Sequence, residues 1–364
     1  MKKLDWYILK KFLTTFFFCV FLFTIIAVVI DISEKTDDFA KSGLSAGQIF
    51  TQYYLGFIPF IDALLFPLFV FLAVIFFTSK MAGRSEIVAI LASGTSYNRF
   101  LLPYVIGGSL LGLLLMYSLA FVIPVANVKY TGFQAKYVNV NSSYDPLVAN
   151  NQHSVYFRID SFTYAGIRNY DTTAKYGGPF FMQRIKDNQL VYNMRSQTVS
   201  WDTATKKWKL QNVIERTING LQESVTTKTS LSLNFNFKPA DLSRDAYAKD
   251  KLNTPQLHQF IADQELRGTE GLNTLQEEEY RRYATPVSVL LLTLMGAVIA
   301  SRKVRGGSGA HIAIGFVTGA LFIVMDRFST MFSVKGNFPP LIAAWTPNII
   351  FSFVAIYFYR RTPK

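Results

Sequence analysis

Three histidines, His153, His258 and His311, and one cysteine, Cys19, are the only imidazole and thiol groups in the 364-residue chain. No histidine falls in an HExxH or comparable spacing, and one cysteine rules out a cysteine-rich cluster, so neither a metal centre nor a cofactor is expected. The stretch "GGSGAH" (306–311) is glycine-rich, but no Gly-Lys dipeptide occurs anywhere, which excludes a phosphate-binding loop. It reads as a turn between two helices. No catalytic residue is expected. What remains is charge in apolar surroundings: Asp62 inside one apolar run, and Asp326 and Arg327 at the end of another. Such groups mark functional sites unless they sit paired or hydrated at a membrane interface. Proton-coupled transport would need a chain of them at mid-membrane depth, and only Asp62 is near it.

A second feature is the segment "SKMAGRSEIVAILASGTSYNRF" (79–100), which predicts a very short helix over 85–93. Ser85 is of the N-cap type, Glu86 suits the positive end of the helix dipole, and Gly94 suits a left-handed C′ position. Ile87, Ile90 and Leu91 recur at helical spacing and form one apolar face. So short a helix needs something to dock against, because about 12–15 residues are required for stability alone in water. Either it lies on the membrane surface or it enters a groove of a soluble partner.

The elements that would carry these residues are set by the apolar blocks. Phe12–Ile30, Leu55–Ser79, Phe100–Val128, Ala284–Ser301, Ala310–Met325 and Phe338–Tyr359 are each near the ~20 residues that cross a bilayer, which predicts six transmembrane helices. The first block is longer than the apolar core of a secretory signal and runs into "DISEKTDDF", so it reads as a retained helix. The formal charge of +13 is unevenly spread. Residues 125–284 hold 20 Lys/Arg and 16 Asp/Glu; the membrane portion holds 17 and 8. That excess clusters at alternate helix ends, at Lys2, Lys3, Lys10 and Lys11, at Lys80, Arg84 and Arg99, at Arg302, Lys303 and Arg305, and at Arg360, Arg361 and Lys364. The pattern places both termini and the short helix in the cytoplasm. The basic balance reports topology and not nucleic acid.

Residues 129–283 change period. "SVYFRI" (154–159) and "SLSLNFNF" (230–237) alternate, the second placing Leu231, Leu233, Phe235 and Phe237 on one face. Asp187-Asn188 and Asp202–Lys207 read as hairpin turns. Several short strands without a helical pattern predict an antiparallel sandwich, jelly roll or open barrel. The apolar face is either a plain core or the lining of a groove. Residues 241–283 regain helical spacing and predict helical connectors back to the membrane. The plan is a helical integral membrane protein of six spans with an extracytoplasmic, jelly-roll-like antiparallel β domain: 1–128 for three helices and the short helix, 129–283 for the β domain and connector, 284–364 for three more helices.

A large outer domain, no nucleotide site and a cytoplasmic docking helix fit the permease of an ABC transporter. Over essentially the whole chain the sequence resembles the lipopolysaccharide-export permeases, the LptF/LptG family. "RSEIVAILASG" (84–94) resembles the family's coupling-helix motif, and "RRYATPVSVLLLTLMG" (281–296) the opening of its fourth helix. "RKVRGGSG" (302–309) and "MDRF…NFPPLIAAWTP" (325–347) extend the similarity, and "LDWYILKKFLTTF" (4–16) leans toward the LptG branch. The resemblance implies an inner-membrane permease that pairs with a second homologous permease and a cytoplasmic ABC ATPase dimer. It also implies extraction of lipopolysaccharide from among the membrane lipids and transfer to a periplasmic jelly-roll bridge. Carried over by position, Glu86, with Ile87, Ile90 and Leu91, would engage the ATPase. Lys35 and Lys41, near the outer end of helix one, would contact the anionic headgroup, with Arg327 a further candidate; Leu231, Leu233, Phe235 and Phe237 would line the conduit. Asp31, Glu34, Asp37 and Asp38 share that helix end and depart from a purely basic patch. A permease for another envelope lipid or lipoprotein, and a membrane-anchored scaffold without transport, stay open as alternatives.

The orientation is checked by cysteine labelling in a Cys19→Ser background. Ser42→Cys and Ser200→Cys should react with an impermeant maleimide in cells with permeabilised outer membranes, and Ser308→Cys only after the inner membrane is opened.

Overall fold

The computed structural model describes residues 3–138, 152–171, 174–235, 237–242, 247–268, 271–302 and 309–362. The turn at 303–308, with Lys303, Arg305 and Ser308, lies outside them, as does Asn236. Six helices are long and apolar enough to cross a membrane: Lys3–Ser42, Ala46–Gly83, Tyr97–Val138, Leu272–Ala300, Ile312–Gly336 and Pro340–Arg360. We number these spans one to six. Most of them overrun the apolar block that announced them. The first takes in all of "DISEKTDDF", and at 40 residues it is about 60 Å long, twice the hydrocarbon thickness. The fourth begins at Leu272, so the "LNTLQEEEYRRYA" stretch is its first turns and not a separate connector. Short helices at Ala248–Lys251 and Thr254–Arg267 supply the expected helical connection.

The chain divides into two compact units, one comprising Met1–Phe133, Lys249–Leu257 and Asn273–Lys364, the other Gln134–Ala248 and His258–Leu272. In the helical unit, several polar groups among the helices are paired in the way a low-dielectric setting demands. Asp5 is buried against Arg99 at 2.5 Å. Glu278 receives Arg281 at 2.7 Å and Arg282 at 3.2 Å. Arg282 also donates to the carbonyls of Lys249, at 2.7 Å, and Leu252, at 2.9 Å, tying the connector to span four. Gly56 is a glycine by necessity, since a Cβ there would lie 2.6 Å from the Ala126 carbonyl of span three.

The second unit carries a seven-stranded antiparallel sheet: β1 Gln152–Asp160, β2 Thr163–Asp171, β3 Tyr176–Gly177, β4 Phe180–Lys186, β5 Gln189–Asp202, β6 Lys207–Asn219 and β7 Gln222–Leu233. β4 pairs with β2 and β5, and the long strands follow one another as a meander. Both expected hairpin turns are present. Asp187 and Asn188 have φ of 49° and 62°, the doubly left-handed form that a two-residue turn requires. Asp202 turns the chain between β5 and β6; the Thr205 hydroxyl and the Ala204 amide bond its carboxyl and hold it below the usual range. The core gathers Phe157, Ile167, Tyr170, Phe180, Met194, Val199, Trp208 and Phe237. Trp208 is fully buried and donates its indole N–H to the Phe237 carbonyl at 2.9 Å. β7 ends at Leu233, four residues short of the alternating run that marked it, and starts well before that run, at Gln222. Its exposed first half pairs fully with β6, so backbone pairing and not apolar burial defines it.

Candidate functional site

The short helix is present as Glu86–Ala92. Its start differs from expectation. Ser85 stands at the N-cap position, but with φ 60°, and its side chain makes no capping hydrogen bond. Gly83 and Arg84 end span two just before it, leaving one residue to redirect the chain. Ser85 does this with a left-handed backbone: its N–H bonds the Ala82 carbonyl at 3.0 Å and its carbonyl accepts from Ala89 at 3.1 Å. Gly94 closes the helix with φ 84°, as its type predicts, and Ser96 caps span three.

What the helix docks against is its own protein. Ile87 is buried in a cluster with Met81, Tyr97 and Phe100, and Ile90 and Leu91 pack against the same cluster. The helix therefore turns another edge outward: Val88 is 55% exposed, and Ala89 and Ala92 are exposed with it. Glu86 stands beside this edge, accepting a long hydrogen bond of 3.4 Å from the Tyr7 hydroxyl and lying 3.9 Å from Arg84. Val88 escaped the sequence reading because an apolar residue off the i, i+3, i+4 face carries no periodic signal.

Lys35 is internally engaged. Its Nζ lies 2.6 Å from Asp31 Oδ1, also donates to the Tyr53 hydroxyl, and sits within 4.8, 5.5 and 5.8 Å of the ring centres of Tyr53, Phe57 and Tyr130. Tyr53 and Tyr54 donate to the two oxygens of Asp31 at 3.0 and 3.1 Å. This is a buried ion pair in an aromatic cage. The i, i+4 spacing of Asp31 and Lys35 is visible in the sequence, whereas the rings come from two other spans and are not. Lys41 and Arg327, by contrast, are both exposed, Arg327 at a cleft that Asp326 also lines. Asp62 is half-buried and accepts a 2.7 Å hydrogen bond from Thr24. In the sheet unit, Phe237 is buried, while Leu231, Leu233 and Phe235 are partly buried against the same core. Among the described residues no group of three or more His, Cys, Asp or Glu could hold a metal.

Six spans, an antiparallel β unit between the third and fourth, and a short helix after the second define a multi-pass membrane protein. The chain belongs to the family described as lipopolysaccharide export system permease LptF/LptG, whose model matches residues 6–361. It is similar to the lipopolysaccharide export system permease protein LptG of Escherichia coli strain K12, with 22% identity over 98% of each chain. The LptG of Escherichia coli O6:H1 matches to the same extent.

The cage carries a stability prediction. Lys35→Met leaves Asp31 charged and without its cation, which should cost about 3–5 kcal/mol and lower the melting temperature of the detergent-purified protein. Adding Asp31→Asn to that variant should recover part of the loss.

Proposed function

We propose that this chain is one permease subunit of an ABC exporter that extracts lipopolysaccharide from the outer leaflet of the inner membrane. A second homologous permease completes the pathway, a separate cytoplasmic ATPase dimer supplies the energy, and a periplasmic jelly-roll bridge receives the lipid. The observation that supports the coupling is the one-sided burial of the helix Glu86–Ala92. Its inner face, Ile87, Ile90 and Leu91, is committed to the spans, so a push on its outer edge is transmitted to them. Glu86 and Val88 are the contacts offered to the ATPase.

Membership in the export family supports lipopolysaccharide as cargo. Lifting it exposes acyl chains at ~0.8 kcal/mol per methylene, so several chains require an energy source beyond binding. Exposed Lys41 and Arg327 are the cations offered to its phosphates. Lys35 contributes by holding spans one, two and three together where those contacts form. The partly buried Leu231, Leu233 and Phe235 offer apolar edges for the acyl chains, with Phe237 as the floor behind them.

Glu86→Ala should reduce ATPase association and lipid-stimulated hydrolysis, because truncating one partner of an interfacial charged contact costs about 2–5 kcal/mol. Glu86→Asp should keep part of both. Unchanged complex yield and turnover in the alanine variant would remove Glu86 from the coupling.

A further inference from the structure

A cleft of about 100 Å³ lies within the helical unit, with residues of spans two to six around it. Phe60, Leu64 and Ile323 are among its apolar residues; Asn127, Asp250, Asp326 and Asn348 are among its polar ones. The space takes about three water-sized groups.

Its polar side holds two buried amide oxygens that no donor reaches. Asn127 and Asn348 are 4% and 5% exposed. Each amide is oriented by the bond that its own nitrogen makes: Asn127 Nδ2 donates to the Asp250 carbonyl at 2.9 Å, and Asn348 Nδ2 to the Ala284 carbonyl at 2.8 Å. Turning either amide over would break that bond. Both Oδ1 atoms are therefore left buried without a donor, an uncommon state for a protein interior. The carboxylates of Asp250 and Asp326 line the same cleft, and neither forms an ion pair or side-chain hydrogen bond among the described residues. Among the cations that line the cleft, Arg281 is held by Glu278, and Arg282 by Glu278 and two backbone carbonyls, while Arg327, next to Asp326 in sequence, is exposed. Burial, then repulsion from Glu278, pushes the Asp250 carboxyl above the usual range even though Lys249, Arg281 and Arg282 act the other way.

Two orphaned amide oxygens and two unbonded carboxylates beside an apolar wall call for a small cation rich in N–H donors and joined to an apolar body. We propose that this cleft binds the primary ammonium of a zwitterionic aminophospholipid of the phosphatidylethanolamine class, as a bound lipid separate from any exported cargo. An ammonium has three donors and one positive charge, which suits the two amide oxygens and the two carboxylates at once. A choline headgroup has the charge but no N–H, and water has donors but no charge. The inference does not depend on what the chain exports.

The test uses the full chain in its purified membrane complex, in nanodiscs of phosphatidylcholine. Trace phosphatidylethanolamine carrying a photoreactive diazirine near the glycerol is compared with the matching phosphatidylcholine and with the same ethanolamine lipid N-acetylated. The ethanolamine probe should label peptides covering 322–327 and 343–348 at least fivefold more than either control. Asp326→Asn, checked for an unchanged melting temperature, should reduce that labelling several-fold. Equal labelling by all three probes, or adducts that map elsewhere, would overturn the proposal without recourse to any variant. So would cleft peptides that give no adduct above background.

Discussion

The structure depends on one constraint: inside an apolar slab, a polar or charged group without a partner is costly. Several charges placed among these spans are therefore organised as closed sets. Asp31 holds Lys35, Tyr53 and Tyr54; Asp5 holds Arg99; Glu278 holds Arg281 and Arg282. Each set joins segments far apart in the chain. The Asp31 set ties span one to span two, the Asp5 pair ties the start of span one to the start of span three, and Arg282 ties span four to the carbonyls of Lys249 and Leu252. The ion pairs thus specify which helices meet, while Gly56 and the aromatic rings set how closely.

Against that frame the short helix acquires its meaning. A seven-residue helix is unstable alone, and it is held because Ile87 enters the same core that contains Phe100 and Tyr104. Stability and exposure are divided between its two faces. The buried face makes it a rigid extension of spans two and three, and the exposed edge at Val88 and Glu86 is free to receive a partner. A helix merely resting on a lipid surface would have no need to lock its apolar face into protein.

Much of this was legible in the sequence, and the physical reason is the same in each case: local signals report local structure. Apolar blocks located all six spans, Asp187-Asn188 located a hairpin, and Gly94 located a helix end. Span lengths were underestimated because hydropathy marks only apolar stretches of a helix; residues 31–42, rich in Asp, Glu and Lys, continue the first helix without an apolar signal. β7 was found by its alternating end and missed at its exposed beginning, where only pairing with β6 defines it. Ser85 looked like a cap by type, yet the adjacent end of span two required a left-handed residue there. At the candidate site, the helix Glu86–Ala92 was readable. The role of Lys35 was not, since Tyr53, Phe57 and Tyr130 reach it only through the tertiary fold.

The central claim is that the Glu86–Ala92 helix presents its outer edge to a soluble ATPase while its inner face stays in the membrane protein's core. Photoreactive residues placed singly at Val88 and at Ile87, irradiated in native membranes, test it directly. Val88 should give an adduct with the cytoplasmic ATPase, and Ile87 should give only products within its own chain. An ATPase adduct at Ile87 with none at Val88 would contradict the account.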